Sequence, residues 1–403
     1  MLLNVQELRS NFPILQRGII YLDTAASSLT PEPVLQKMLE FYHEYRANVG
    51  RGVFSLTLKA TEEYESARGK IANFVGAKSK SEIFYTRNTT EGINIIANGL
   101  KWKRGGNIVT SLIEHHSNFV VWLRVKQQHQ MDLEIVRPCE PEIHGLLDPA
   151  DFEKVVDDNT RLVAITQVSN ALGTVEPVKE IAEIAHEHGA YVLVDGAQSV
   201  PHMKVDVKDI KCDFLAFSGH KMCGPPGSGA LYVREELADE IQPSYVGGGA
   251  IEEVGTEYYT LADGPQHCEA GTPAIADEIA LGAAIEYLER IGMQEIEEYE
   301  KKLGRKMYEG LAEIPSVEMF GPEPGFKVGI LAFNLSDSSS DEVARRLDQA
   351  SILVRSGHHC TLPLMREVLR RSGTVRASTY FYNTEEEVER LISTVEKMAG
   401  TRV

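Results

Sequence analysis

The sequence predicts an α/β protein in which a large domain, built on a mainly parallel sheet of seven strands, is joined to a smaller α+β domain at the C-terminal end. Three observations predict it. Between about residues 80 and 235, seven short apolar runs alternate with helix-like stretches. Several of those runs end in polar residues of the kind that hold ligands. After about residue 285 the chain turns to Glu/Lys-rich helical stretches interleaved with three further strands.

The seven runs are EIFY from 82, NIVT from 107, LEIV from 133, RLVAIT from 161, YVLVD from 191, DFLAFS from 213 and ALYV from 230. Their rhythm implies crossover units around a parallel sheet buried on both faces. Between them lie helices such as 177 to 188, opened by Pro177 and closed by Gly189. In the last third, helices are expected at 293 to 312, 340 to 350 and 385 to 399, with strands at GILAFN (329), ILVR (352) and TVRAS (374). The expected division is residues 21–285 for the large domain, and 1–20 plus 286–403 for the small one.

Composition narrows the function. The 403 residues carry a net charge of −18, which argues against a nucleic-acid phosphate surface. No stretch has the length of a membrane span, and the N-terminus lacks a basic flank before an apolar run, so a cytoplasmic protein is expected. The five cysteines, 139, 212, 223, 268 and 360, form no CxxC pair, so neither a disulfide framework nor a zinc knuckle is indicated. His358, His359 and Cys360 are consecutive, and neighbours in sequence rarely converge on one ion, so no metal is expected.

The ends of the strands carry the chemistry, because ligands of such sheets collect at the carboxyl edge. FSGHKMCGPPGSG places Lys221 after a strand, where a Schiff-base lysine would stand, although a surface lysine in a turn fits too. VLVDGAQ ends a buried strand in Asp195, which suits either a pyridinium nitrogen or a helix cap. TRNTTEGINII reads as a helix start with Asn88 as N-cap and Glu91 as its capping-box partner. Thr89 and Thr90 then stand at the positive helix end, a phosphate seat or a plain cap. SLIEHHSN puts His115 and His116 at another junction, and QVSNALGT ends its strand in Asn170. RSGHHC, by contrast, reads as a loop with basic neighbours around Cys360, a setting that favours a thiolate.

Together SGHK, VDGAQ, RNTTE, EHH, SNALGT, EAGTP, RSGHHC and TVRAS resemble the class V, fold type I pyridoxal-phosphate enzymes, most closely their type II, Suf-type cysteine desulfurases. The resemblance runs from YLDTAASS at 21 to YNTEEEVERL at 382. It implies conversion of L-cysteine to L-alanine with a persulfide on Cys360, the sulfur then feeding iron–sulfur cluster or thiolation pathways. It implies pyridoxal 5'-phosphate on Lys221, with Asp195 at the ring nitrogen, Gln198 at the phenolic oxygen and His115 stacked on the ring. Thr89, Thr90, Ser218 and His220 would take the phosphate, joined by Thr272 from the second subunit of a homodimer. Asn170 and Arg376 would face the substrate carboxylate, with Arg355 near the same mouth; a guanidinium offers a planar two-point fork. Selenocysteine lyase, or a class V aminotransferase or kynureninase-like hydrolase, is the alternative implied.

Between the ILV strand and Leu362, an extended tether from Arg355 to Cys360 reaches roughly 17 Å. A sulfur-accepting protein is therefore expected to dock at the pocket mouth. The chain departs from the family's habit at Gly50 and Phe54, where histidines are common, and at Ala274, where Asn is common.

Overall fold

A computed structural model describes residues 3–400. All seven expected runs join one sheet, in the order 83–86, 229–233, 214–218, 191–195, 160–166, 107–111, 132–136. Only Gly229–Val233 runs against the rest, pairing antiparallel with Ile83–Thr86 and Phe214–Ser218. The central strands are apolar on both faces because helices cover both. Since the strands share a direction, Thr86, Ser111, Thr166, Asp195 and Ser218 all end at one edge of the sheet.

A second sheet is wholly antiparallel, in the order 317–320, 330–335, 374–378, 355–357. Its register sets Arg355 opposite Arg376. The chain start is tied to this part of the molecule. Ile20–Tyr21 pairs in parallel with Ile352–Leu353, Arg9 bridges to Glu387 at 2.8 Å, and the Phe12 ring lies 4.9 Å from that of Tyr382.

Three differences from the sequence reading have physical causes. RSG is a strand, Arg355–Gly357, because it completes the edge of the second sheet, so the free tether to Cys360 is shorter than expected. Glu91 is no capping-box partner of Asn88: its carboxylate accepts from the backbone of Arg87 at 2.6 Å, while Asn88 caps the helix as expected by accepting from Glu91 N at 3.0 Å. The long helix Ser55–Phe74 was not singled out, because the face it buries includes Thr57, Ala60, Ala67 and Arg68, which blurs the apolar period. That helix and Glu32–Glu44 pack against Ile275–Ile291. The strand Val317–Phe320 and the exposed hairpin Ile251–Val254 with Tyr259–Leu261 were likewise not anticipated. Among the described residues no helix is long and apolar enough to cross a membrane.

Candidate active site

The carboxyl edge gathers groups far apart in sequence. Lys221 lies in a single 3-10 turn, Gly219–Lys221, directly after the Phe214–Ser218 strand. Its ammonium is lowered to about pKa 8, chiefly by burial, with Asp195 opposing the shift by attraction and Arg376 adding to it. Asp195 is itself buried at its strand end, one carboxylate oxygen accepting from Ala197 N at 3.0 Å. Burial raises this carboxyl and the charge of Lys221 lowers it, so the two groups form a coupled pair.

At the neighbouring edge the helix Thr89–Gly99 starts against two strands. Thr89 N donates to Ser218 Oγ at 2.8 Å, and the two hydroxyls lie 2.7 Å apart. Thr90 Oγ1 lies 2.7 Å from Ser117 Oγ, a hydroxyl the sequence did not single out. This approach requires glycine at 229, since a Cβ there would sit 2.7 Å from Phe217 O and 3.1 Å from Asn88 Cα. The result is two pairs of hydroxyls at a positive helix end. His220 flanks it, its imidazole lowered to about 4 by burial and by Lys221.

His115 faces the same space. Its Nδ1 accepts from Ser117 N at 3.1 Å, so the neutral ring carries its proton on Nε2. Burial, then Lys221, lowers it to about 3. Beneath it Glu114 is fully buried, accepting from Ser111 Oγ, from Asn118 Nδ2 and from Thr166 N at 3.1 Å, with burial raising it to about 8. Gln198 donates to Ala25 O at 2.6 Å and leaves its buried Oε1 unpaired.

The opposite wall comes from the second sheet. Arg376, 2% exposed, donates to Asn170 O at 2.9 Å and to Asp23 Oδ1 at 3.1 Å, and its buried Nε has no partner. Asn170 spends one amide hydrogen on His359 O at 2.8 Å. Arg355 is half exposed and grips Asp23 with Nε and Nη2. Asp23 belongs to the YLDTAASS stretch, yet nothing in the sequence alone marked it as joining two arginines.

Cys360 is exposed, while Cys212 and Cys223 are buried and Cys139 and Cys268 partly so. Burial raises those four thiols, Cys268 to about 12. The Cys360 loop is held by its backbone: Cys360 N donates to His358 Nδ1 at 3.0 Å, Leu362 N to His116 Nε2 at 3.1 Å, and His116 N to Cys360 O at 2.7 Å. His359 and Cys360 both take positive φ, 51° and 58°. The loop is joined to the site through His116, which bonds Cys360 O, and through Asn170, which bonds His359 O. Thr272 stands apart: it is exposed and lines a groove with Thr90 and Glu91. No group of three or more His, Cys, Asp or Glu suited to a metal occurs among the described residues.

The donor set fits pyridoxal phosphate. A carboxylate beside an amine, an imidazole of fixed tautomer, and hydroxyls on a helix N-terminus match its ring nitrogen, aldehyde, ring and phosphate, and Gln198 Nε2 keeps a second hydrogen for its phenolic oxygen.

The aminotransferase class V family model matches residues 20–391. A probable cysteine desulfurase of Methanothermobacter thermautotrophicus is 44% identical over 402 residues, covering 99% of each chain. Among solved structures, the apo cysteine desulfurase of Thermococcus onnurineus superposes with a TM-score of 0.94 at 44% identity, over 98% of each chain. The cysteine desulfurase CsdA of Escherichia coli, in its S-sulfonic acid form, does so at 0.92 and 34% identity, again over 98% of each.

Proposed function

The chain belongs to the class V aminotransferase family, and from that premise we propose how it works as a cysteine desulfurase, converting L-cysteine to L-alanine and leaving the sulfur as a persulfide on Cys360. The observation that carries the role of Cys360 is its position: an exposed thiol on a short loop whose backbone is bonded to His116 and Asn170 beside the site. An aminotransferase or a kynureninase-like hydrolase has no use for a thiol there.

Pyridoxal phosphate, when bound, supplies an electron sink for charge that develops on the substrate's Cα. Lys221 would hold it, with Asp195, Gln198 and His115 at the ring and Thr89, Thr90, Ser218 and His220 at the phosphate. Thr272 would reach the phosphate from a second copy of the chain, in a homodimer.

The chain's own residues do the rest. Arg376 offers its unpaired Nε, and Asn170 its second amide hydrogen, to the substrate carboxylate. Arg355 closes the mouth. Lys221 Nζ, whose lowered pKa leaves a share of free amine near neutrality, takes the Cα proton. Cys360 as thiolate attacks the sulfur of the bound cysteine. An S–S bond forms and the C–S bond breaks; the C–S electron pair stays with Cβ, which takes a proton, and Lys221 returns the Cα proton before the product leaves as alanine. The persulfide on the exposed loop is then open to an acceptor protein, for iron–sulfur cluster or thiolation chemistry. The loop's short reach requires that acceptor to dock at the mouth.

The test is alanine and sulfide release from L-cysteine with a thiol reductant, and mass spectrometry of the protein after L-cysteine without reductant. Wild type is expected to carry the extra sulfur on Cys360, and Cys360→Ala to carry none and release no alanine. A persulfide on another cysteine, or normal alanine release by the variant, counts against Cys360.

A further inference from the structure

The five residues 114 to 118 reach both halves of the site. Ser117 Oγ meets Thr90 Oγ1 at 2.7 Å and Ser117 N fixes the His115 ring, while His116 holds the Cys360 loop at two points, His116 N on Cys360 O and His116 Nε2 under Leu362 N. The fully buried Glu114 ties this turn to the sheet. Its Oε1 accepts from Ser111 Oγ at 2.5 Å and from Thr166 N at 3.1 Å, the last residues of the paired strands 107–111 and 160–166. Its Oε2 accepts from Asn118 Nδ2 at 2.7 Å, and Asn118 Oδ1 accepts in turn from Trp122 Nε1 at 3.2 Å. An indole only donates, so Trp122 fixes which way the Asn118 amide faces. Each Glu114 oxygen therefore receives an N–H that cannot be turned round, and a glutamine, with one acceptor oxygen, could satisfy only one of them. The strand end so fixed is the one beside Asp195, because Gln167 N donates to Asp195 O at 3.1 Å.

We propose that Glu114 is a positioning residue for both halves of the reaction. By pinning the two ends of the turn it sets the His115 ring against the cofactor position and, through His116, the place of the loop that carries Cys360. Its role does not depend on its charge. A proton on Oε1 can point to Ser111 Oγ while that oxygen still accepts from Thr166 N, so both N–H groups keep an acceptor in either state. This inference rests on the function proposed above, which places the cofactor ring at His115 and the nucleophile on Cys360.

The test compares wild type, Glu114→Gln and the double variant Glu114→Gln with Asn118→Asp as pyridoxal-phosphate-loaded proteins. It reads kcat and KM for alanine release from L-cysteine, and amide exchange at His116, at Leu362 and in the central strands. Glu114→Gln sets one N–H against another. It should lower kcat on the order of tenfold or more, the cost of slightly misplaced groups, change KM less, because Arg376 stands on the other sheet, and quicken exchange at His116 and Leu362 alone. In the double variant the new amide at 114 donates to the new carboxylate at 118, which still accepts from Trp122 Nε1, so kcat and exchange should return to near wild type. If Glu114→Gln does not fold, Ser111→Ala, which removes one of the three bonds and inverts none, should move kcat and Leu362 exchange the same way by a smaller factor. Unchanged kcat and exchange in the single variant, exchange that quickens equally in the central strands, or a double variant as impaired as Glu114→Gln overturns the positioning role. Wild type that releases no alanine overturns the proposed function instead, and exchange at Leu362 still decides whether Glu114 holds the loop.

Discussion

Lys221 combines two requirements that oppose each other, a positive charge near Asp195 and a free amine for chemistry. Its ammonium is lowered from 10.5 to about 8 by burial, so between those values the unfolded chain binds more protons than the folded one. Lys221 therefore weakens the cofactor-free protein below about pH 8, and that cost is relieved as pH rises through 8 toward 10.5. The same titration governs capture of the cofactor. The rate at which added pyridoxal phosphate gives a visible band should climb through about pH 8, and Lys221→Ala should give no borohydride-reducible band at any pH. Arg376→Lys tests the other wall: it keeps a charge but loses the Nε hydrogen aimed at the substrate, so KM for L-cysteine should rise on the order of tenfold, the worth of a charged hydrogen bond, while the visible band persists. Loss of the band with KM unchanged would make Arg376 a structural residue. Lys221, Asp195 and Thr89 could be placed at the carboxyl edge because each follows a short apolar run that reads as a buried strand, while their roles stayed open in the sequence. Asp23 was not legible, since its meaning arises from a strand register between residues 355 and 376, which no local pattern encodes.

Among elements, the Thr89–Gly99 helix is placed by contact more than by its cap. Asn88 satisfies one backbone donor, so Asn88→Ala should cost about 1 kcal/mol. Gly229→Ala forces a Cβ against Phe217 O and Asn88 at once, where backbone cannot yield, so it should cost about 1–3 kcal/mol and loosen the phosphate seat. Denaturant unfolding ranks the two, and a larger loss from Asn88→Ala would contradict the wedge at 229. The Cys360 loop shows where an element-level reading falls short. RSG looked like loop because it is short and polar, and it becomes a strand only by pairing with Thr374–Ser378. What remains is a tether whose amides are taken by His116 and His358, two histidines that serve as acceptors only while neutral. Burial, and then His358, keeps His116 below its ordinary 6.5. The hold on Leu362 N is thus present above about pH 6.5 and lost as pH falls through the lowered value, and amide exchange at Leu362 should quicken there, but not at central-sheet amides.

At the scale of the whole molecule, the seven-stranded sheet was legible because buried parallel strands are nearly continuous apolar runs, whereas the surfaces between copies of a chain leave no such periodic mark. Val53 and Val254 are 90% and 73% exposed, with Phe54, Leu58, Tyr258 and Tyr259 also open to solvent. Arg51 Nη2 donates to Ile251 O at 3.3 Å, which ties the two segments into one apolar face. Thr272 is exposed beside it, lining the same groove as Gly50, Phe54 and Gly249. A second copy covering this face would bury it, and if it carried its own Thr272 toward the Thr89 helix, each site would be a product of two chains. Complementation decides this. In a heterodimer of Lys221→Ala and Thr272→Asp subunits, shared sites put both defects into one site and leave the other with an intact Lys221 and an intact Thr272. Activity should then rise well above that of either mutant homodimer. If Thr272 served only its own subunit, each site of the heterodimer would carry one defect, and a purified heterodimer no more active than the mean of its parents would show that the sites are not shared.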